Sequence, residues 1–252
     1  NSAYETSRCL YLVLKADIHI HTCYSDGLNT PQDVVKYAAK ILGLSVIAIT
    51  DHDTLKGYKT LRSEQKHILK EYSILVIPGI EISTRQGHIL ALGIEIEPPF
   101  NRNTNAIEVI EWIKDNNGIS ILAHPYSCRW IFTCPAVKNP EILKKIDGIE
   151  VINGRSPSSR NRKAYHLAKK LNKPMTAGSD AHRVTEIGKV YMELNYNVET
   201  QDEFLDLLLK GDINLSNIPN TIRVLKDILL DRFEKIRNFI KYRKSIYCLD
   251  SL

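Results

Sequence analysis

Short clusters of histidine and carboxylate residues follow apolar, strand-like runs along this chain, and they limit its possible folds more than any other feature. Six of its eight histidines lie in these clusters. The runs alternate with amphipathic, helix-like stretches, which favours a parallel α/β sheet. An open sheet would gather ligands at one switch point, whereas these clusters follow at least six runs. A closed barrel brings all strand ends to one mouth, so we predict an α/β barrel.

Composition narrows the class of protein further. The length of 252 residues is common for a single α/β barrel, and the hydrophobic content of 43% is ordinary for a globular chain. No apolar run approaches the roughly 20 residues that cross a bilayer, so we expect a soluble protein with no membrane partner. The five cysteines are scattered without a CxxC pair. That usage is typical of reduced thiols, and we expect a cytoplasmic location.

The chain is predicted to have three parts. Residues 1–14 form an N-terminal extension of unclear status, residues 15–215 form the barrel, and residues 216–252 form a basic amphipathic helix. Eight basic and three acidic residues between Arg223 and Lys244 account for the whole net charge of +5, so the charge gives little support for a nucleic-acid partner. We expect the helix to pack on the barrel or to serve as an interface. Its apolar stripe comprises Ile222, Leu225, Ile228, Leu229, Phe233, Ile236, Phe239 and Ile240.

Imidazoles and carboxylates without cysteine indicate divalent metal ions held by nitrogen and oxygen. His19 and His21 are two apart in a strand, so both side chains leave the same face. Asp17 shares that face and is placed to accept an imidazole N–H, which would orient the ring. The consecutive ionisable residues 51–53 follow a buried run, where they are costly unless paired or metal-bound. The carboxylate of Glu81 is suited to bridging two cations.

Each feature taken singly has a structural alternative. The segment Ser25–Gly27 is typical of a turn, and Glu81 alone is most simply a surface glutamate. A lone histidine beside an apolar run is more often a hydrogen-bonded core residue than a ligand. The recurrence of such residues at equivalent strand ends favours a metal centre.

The clusters resemble the motif series of the polymerase and histidinol phosphatase (PHP) superfamily, in order, over about residues 15–190. The resemblance implies a distorted seven-stranded (β/α) barrel with a two- or three-metal centre at the C-terminal ends of the strands. Asp26 and the stretch Ala48–Thr54 are most similar to the branch of stand-alone nucleotide and oligonucleotide phosphoesterases. The motifs are Asp17–Thr22, Ser25–Gly27, Ala48–Thr54, Gly79–Glu81, Gly87–His88, Ala123–Pro125 and Gly178–His182.

The resemblance also implies a set of metal ligands, with zinc, manganese or iron as the candidate ions. Glu81 would bridge two of the ions. Asp17, Asp51 and Asp53 are expected to orient the ligands without binding an ion. One ion would be held by His19, His21, Glu81 and Asp180, a second by Glu81, His88 and His124, and a third by Asp26, His52 and His182.

Such a centre predicts hydrolysis of a phosphate ester by a metal-bound hydroxide, with no side-chain nucleophile. Arg155 and then Arg129 are the candidates for binding the phosphate, since a guanidinium matches its geometry. Asn153 would assist. For each arginine the alternative is a solvated loop charge, and for Asn153 it is a turn residue.

The expected substrate is a nucleotide or a short oligonucleotide, with no stable nucleic-acid partner required. The short interval between His88 and His124 departs from that branch, whose members typically carry a helical insertion there that helps cover the substrate. Two alternatives stay open: a phosphatase of another small metabolite such as histidinol phosphate, and a non-catalytic RNA-binding or assembly subunit.

Overall fold

Strands and helices alternate along the chain, as the apolar runs predicted. The computed structural model describes residues 13–41, 43–127, 133–216, 219, 222, 224–226 and 228–237. The strands are β1 (Leu14–Ile20), β2 (Leu44–Ile49), β3 (Leu75–Thr84), β4 (Gly87–Leu92), β5 (Ile119–Leu122), β6 (Gly148–Asn153), β7 (Met175–Gly178), β8 (Met192–Leu194) and β9 (Ile213–Leu215). The helices are α1 (Pro31–Ala38), α2 (Lys56–Leu61), α3 (Gln65–Tyr72), α4 (Ala106–Asp115), α5 (Pro140–Lys145), α6 (Ser158–Leu171) and α7 (Gln201–Lys210).

These strands form one sheet in the order β7-β6-β5-β4-β3-β2-β1-β8-β9. The sheet curls into a nearly closed barrel, because the end of β1 meets the segment that follows β7. There Ile20 bridges Ala181, and the His21 amide donates to the Ala181 carbonyl at 2.8 Å. β8 and β9 extend the sheet beyond β1 as antiparallel strands. The predicted barrel architecture is confirmed.

One barrel strand does not run in the predicted parallel direction. β4 is antiparallel to both of its neighbours, β3 and β5, while the other adjacent pairs from β1 to β7 are parallel. The reason is local: only Arg85 and Gln86 connect β3 to β4. A two-residue connection makes a hairpin, whereas a parallel neighbour needs a crossover of a dozen residues or more.

Helix α1 shows how residues close together in the sequence determine where a helix begins. The Thr30 hydroxyl oxygen caps it by accepting from the Asp33 amide at 3.2 Å, and the Asp33 carboxylate accepts from the Thr30 amide. Pro31 lies in the first turn. The helix ends at Ala38, although a glycine such as Gly43 is the more usual residue to end a helix. Gly43 instead has φ of +80° and lies in the turn into β2, where its carbonyl accepts from the Lys15 amide.

The described residues between 222 and 237 are helical, and we call them the C-terminal helix. Val224 and Ile228 are buried on its inner side. Phe239 and Ile240 of the predicted stripe, like residues 1–12 of the predicted extension, lie outside the described residues. The three-part division of the chain stays a prediction. Five residues of the stripe are exposed, namely Ile222, Leu225, Leu229, Phe233 and Ile236.

Across the described part of the chain, no helix combines the length and the apolar character that spanning a membrane requires.

Candidate metal centre

The barrel gathers all nine predicted ligands at one mouth. The strand β1 and the loop after it carry His19, His21 and Asp26, and His124 follows β5. His88 is an exception to the prediction that the ligands follow the carboxyl ends of strands. It lies at the amino end of β4, and the antiparallel direction of β4 turns that end toward the mouth. The remaining ligands are His52 after β2, Glu81 within β3, and Asp180 and His182 after β7.

Glu81 lies at the centre of this arrangement and is 1% exposed. Its Oε1 lies 2.7 Å from His88 Nδ1 and 2.9 Å from His124 Nε2. Its Oε2 lies between 3.2 and 3.3 Å from nitrogens of three further imidazoles, those of His19, His21 and His52. Each oxygen therefore faces its own group of imidazoles.

Two further carboxylates extend the centre on either side of His21. Asp180 Oδ1 lies 3.2 Å from His21 Nε2 and 3.7 Å from His19 Nε2. Asp26 Oδ2 lies 2.9 Å from His182 Nε2, while its Oδ1 is 4.0 Å from His52 Nε2. Asp26 Oδ1 is also 3.7 Å from His21 Nδ1, so His21 lies between the two carboxylates.

The imidazoles fit metal ions better than they fit a hydrogen-bond network. Five buried ring nitrogens have no hydrogen-bond partner in the described structure, namely both of His21 and one each of His19, His52 and His124. Three of them nevertheless lie 3.2 to 3.3 Å from Glu81 Oε2. An ion about 2.0 to 2.2 Å from each ligand keeps neighbouring ligand atoms about 3 to 3.5 Å apart. The donor set therefore fits divalent cations.

The same contacts shift the pKa values of the groups in the centre. Burial alone would lower the pKa of His21, but its contacts with Asp180 and Glu81 raise that pKa to about 10. Burial likewise opposes a rise for His124, yet Glu81 raises its pKa to about 9. Burial would raise the pKa of Glu81, but the surrounding histidines, His52 first, hold it well below its usual range. Cations and protons therefore compete for the same imidazoles.

The carboxylate that orients His19 is Glu150, which the sequence analysis did not single out. Glu150 Oε1 lies 2.8 Å from His19 Nδ1, and its Oε2 accepts from the His124 amide at 2.8 Å. The expectation that Asp17 orients an imidazole is wrong. The Asp17 carboxylate instead accepts from the backbone amides of Ser179 and Gly188. An acidic residue inside the apolar strand β6 was the available signal, since a buried charge needs partners.

Asp51 and Asp53 hold the loops that carry the ligands. Asp51 accepts from the amide and the hydroxyl of Thr22, both at 2.7 Å, and from the Ser25 hydroxyl at 2.6 Å, which orders the loop leading to Asp26. Asp53 accepts from the amide of Ser83 at 2.7 Å, two residues beyond Glu81. The two residues thus position the backbone around Asp26 and Glu81.

Strained backbone occurs at the same mouth. Three residues at the mouth, Asp53, His124 and Asp180, have positive φ angles of 58°, 26° and 54°. Left-handed backbone is costly for these residue types and persists only where the surroundings enforce it. Here hydrogen bonds around each residue, such as that of the His124 amide with Glu150, provide the enforcement.

The mouth opens into a cavity of about 340 Å³, which two of the predicted substrate residues, Arg155 and Asn153, line. Arg155 lines it, but its guanidinium already pairs with Glu186 at 3.2 Å and with Asp231 of the C-terminal helix at 3.0 Å. Asn153 donates to Glu150 and Asp180 and accepts from the Arg155 amide, so it positions the centre rather than a substrate. Arg129 lies outside the described residues.

Comparison with known proteins supports the fold and the motif series. A family model described as PHP-associated matches residues 158–213. An uncharacterised protein of Methanocaldococcus jannaschii is 36% identical over 151 residues, which cover 56% of this chain and 82% of that protein. The 5′-3′ exoribonuclease Rnm of Salmonella typhimurium is 38% identical over 91 residues, which cover 34% of this chain and 30% of the enzyme.

A solved structure shares the fold. It is a two-domain protein from Bacteroides vulgatus that contains a predicted PHP-like metal-dependent phosphoesterase, and it superposes with a TM-score of 0.64 at 20% identity. The match covers 81% of this chain and 64% of that protein. Likeness at this level of identity concerns the fold.

Proposed function

Because this chain belongs to the polymerase and histidinol phosphatase (PHP) superfamily of metal-dependent phosphoesterases, we propose that it hydrolyses a phosphate ester of a nucleotide or short oligonucleotide. The observation that carries the proposal is the buried Glu81, whose two oxygens face five imidazoles. A carboxylate in that setting suits a bridge between two cations. The similarity to the Salmonella 5′-3′ exoribonuclease supports a substrate of the nucleotide class.

The proposed centre holds two or three divalent ions of zinc, manganese or iron. Bound ions of this kind lower the pKa of water and stabilise negative charge on phosphoryl oxygens. The chain itself supplies the ligands and their orientation, with Glu150 and Asn153 holding His19, the His124 backbone and Asp180 in place. The ligand groups are His19, His21, Glu81 and Asp180 for one ion, Glu81, His88 and His124 for the next, and Asp26, His52 and His182 for the third.

Metal analysis and a substrate panel test this proposal together. We expect at least two divalent ions per chain in protein purified without chelator at neutral pH. We also expect hydrolysis of nucleoside monophosphates, 3′,5′-bisphosphates or short RNA in preference to histidinol phosphate. Preference for histidinol phosphate would favour a small-metabolite phosphatase. Fewer than two ions with binding but no cleavage of RNA would favour a non-catalytic role.

A further inference from the structure

The C-terminal helix supplies part of the wall of the metal-lined cavity. Asp231, Arg232 and Lys235 line the cavity together with His52 and His88. The inner side of the helix is anchored, since Val224 is 1% exposed and Ile228 is 4% exposed. Residues far along the chain from the nine ligands therefore face whatever enters the mouth.

A series of ion pairs connects the C-terminal helix to the mouth. Asp231 Oδ2 accepts from Arg155 at 3.0 Å and lies 3.4 Å from the Lys235 ammonium. Lys235 also lies 3.5 Å from Asp26 Oδ2, and Arg155 also pairs with Glu186. One oxygen of Asp231 thus has cations on both sides, which fixes the orientation of its carboxylate.

The other oxygen of Asp231 has no such partner. The residue is 3% exposed, lines the cavity, and its Oδ1 makes no hydrogen bond in the described structure. A buried acceptor left unsatisfied is destabilising, so its persistence calls for a donor that enters the site. A carboxylate repels phosphate, so this donor is an O–H or N–H group outside the phosphate, and in a nucleotide the nearest such donors are the hydroxyls of the sugar.

We propose that Asp231 Oδ1 accepts a hydrogen bond from a hydroxyl of the sugar in the substrate, which makes Asp231 a specificity-determining residue. This inference rests on the proposed phosphoesterase function and specifies its substrate as a phosphate ester of a hydroxyl-bearing sugar. The cavity of about 340 Å³ is near the lower end of the range of about 300 to 1,000 Å³ for small-molecule sites, which suits a mononucleotide unit. The phosphate lies at the imidazoles and the sugar at the C-terminal helix.

Discrimination between two matched substrates tests the assignment. We compare kcat/KM for adenosine 5′-monophosphate and its 2′,3′-dideoxy analogue in the wild-type protein and in Asp231→Ala and Asp231→Asn. The wild type is expected to prefer the ribonucleotide at least tenfold, because a buried polar group rejects an analogue that leaves it unpaired. Asp231→Ala is expected to reduce this ratio to about one, whatever happens to the absolute rates.

Glu186→Gln is the matched control. Glu186 also pairs with Arg155 and accepts from the His182 amide at 2.9 Å, but it does not line the cavity. The control therefore disturbs the same guanidinium without removing the unpartnered oxygen, and its substrate ratio should stay at the wild-type value. Circular dichroism and metal content confirm that each variant is folded and loaded.

The possible results distinguish a failure of the role of Asp231 from a failure of the proposed phosphoesterase function. A wild-type ratio near one, or an unchanged ratio in Asp231→Ala with activity retained, overturns the role of Asp231 and leaves the phosphoesterase function intact. If the wild type hydrolyses neither nucleotide nor p-nitrophenyl phosphate, the proposed function fails and this inference fails with it.

Discussion

At the scale of single residues, the centre depends on one carboxylate whose two oxygens are shared among several imidazoles. Glu81 contributes two oxygens to five imidazoles, so no other carboxylate in the described part of the mouth can replace it. Asp180 and Asp26 each contact a smaller group of histidines on either side. The imidazoles require the negative charge of Glu81 more than its shape.

Glu81→Gln tests this dependence with little change in shape. The amide removes the negative charge and puts an N–H toward imidazoles that need an acceptor or an ion. We expect turnover to fall at least a hundredfold and metal content to fall below that of the wild type, measured by steady-state kinetics and elemental analysis. Glu111→Gln on α4, an exposed partner of Lys145, is the control and should change neither. Retained turnover in Glu81→Gln would contradict the bridging role.

Metal binding should release protons near neutral pH. In the metal-free protein the pKa of His21 is about 10 and that of His124 is about 9, so both imidazoles carry protons at pH 7. An ion binds only the neutral ring, so affinity should rise as the pH increases from 6 toward 9. Calorimetric titration in two buffers of different protonation enthalpy measures the release. Identical apparent enthalpies in the two buffers would refute it.

At the scale of elements, strand β6 contributes two buried polar side chains to the centre. Glu150 lies inside an otherwise apolar strand, and its two oxygens hold the His19 ring and the His124 backbone. Asn153 at the end of the same strand joins Glu150 to Asp180. One strand therefore orients ligands that come from three other parts of the chain.

Glu150→Gln should weaken metal binding without removing a ligand. Loss of the carboxylate behind a metal-binding histidine typically costs about 10- to 100-fold in metal affinity, and we expect a loss in that range. Competition with a chelator of known affinity measures it. Glu193→Gln on β8 is the matched control. If both variants bind metal as the wild type does, Glu150 is only a packing residue.

At the scale of the whole molecule, the ligands come from positions between His19 and His182, so bound ions would tie together most of the barrel. Binding to the folded state alone stabilises it by about 2.7 kcal/mol when free ligand is at a hundred times its Kd. For a chain of this size, about 1 kcal/mol corresponds to roughly 2 to 4 °C in Tm.

Removal of metal should therefore lower the melting temperature by about 5 to 10 °C at a hundredfold excess over Kd. Thermal unfolding followed by circular dichroism, before and after dialysis against chelator, measures the change. Re-addition of zinc or manganese should restore the original Tm. An unchanged Tm in protein shown to be metal-free would indicate that the ions do not stabilise the barrel.

Local patterns in the sequence were enough to predict most of the elements and the residue types of the centre. The capping pattern at Thr30 and Asp33 depends on contacts within four residues, so it could be recognised directly. The apolar runs predicted the alternation of strands and helices, and the order of the clusters along the chain predicted that the ligands meet at one mouth. The assignment of particular ligands to particular ions stays a prediction.

The sequence by itself determined the alternation of strands and helices and the chemistry of the side chains at the strand ends, because both follow from neighbours along the chain. Only the tertiary structure decided that β4 runs antiparallel and so presents His88, and that Glu150 rather than Asp17 orients His19. Tertiary contact also placed Asp231 against the cavity. These outcomes depend on contacts between distant segments, whose packing and charge pairing no local pattern encodes.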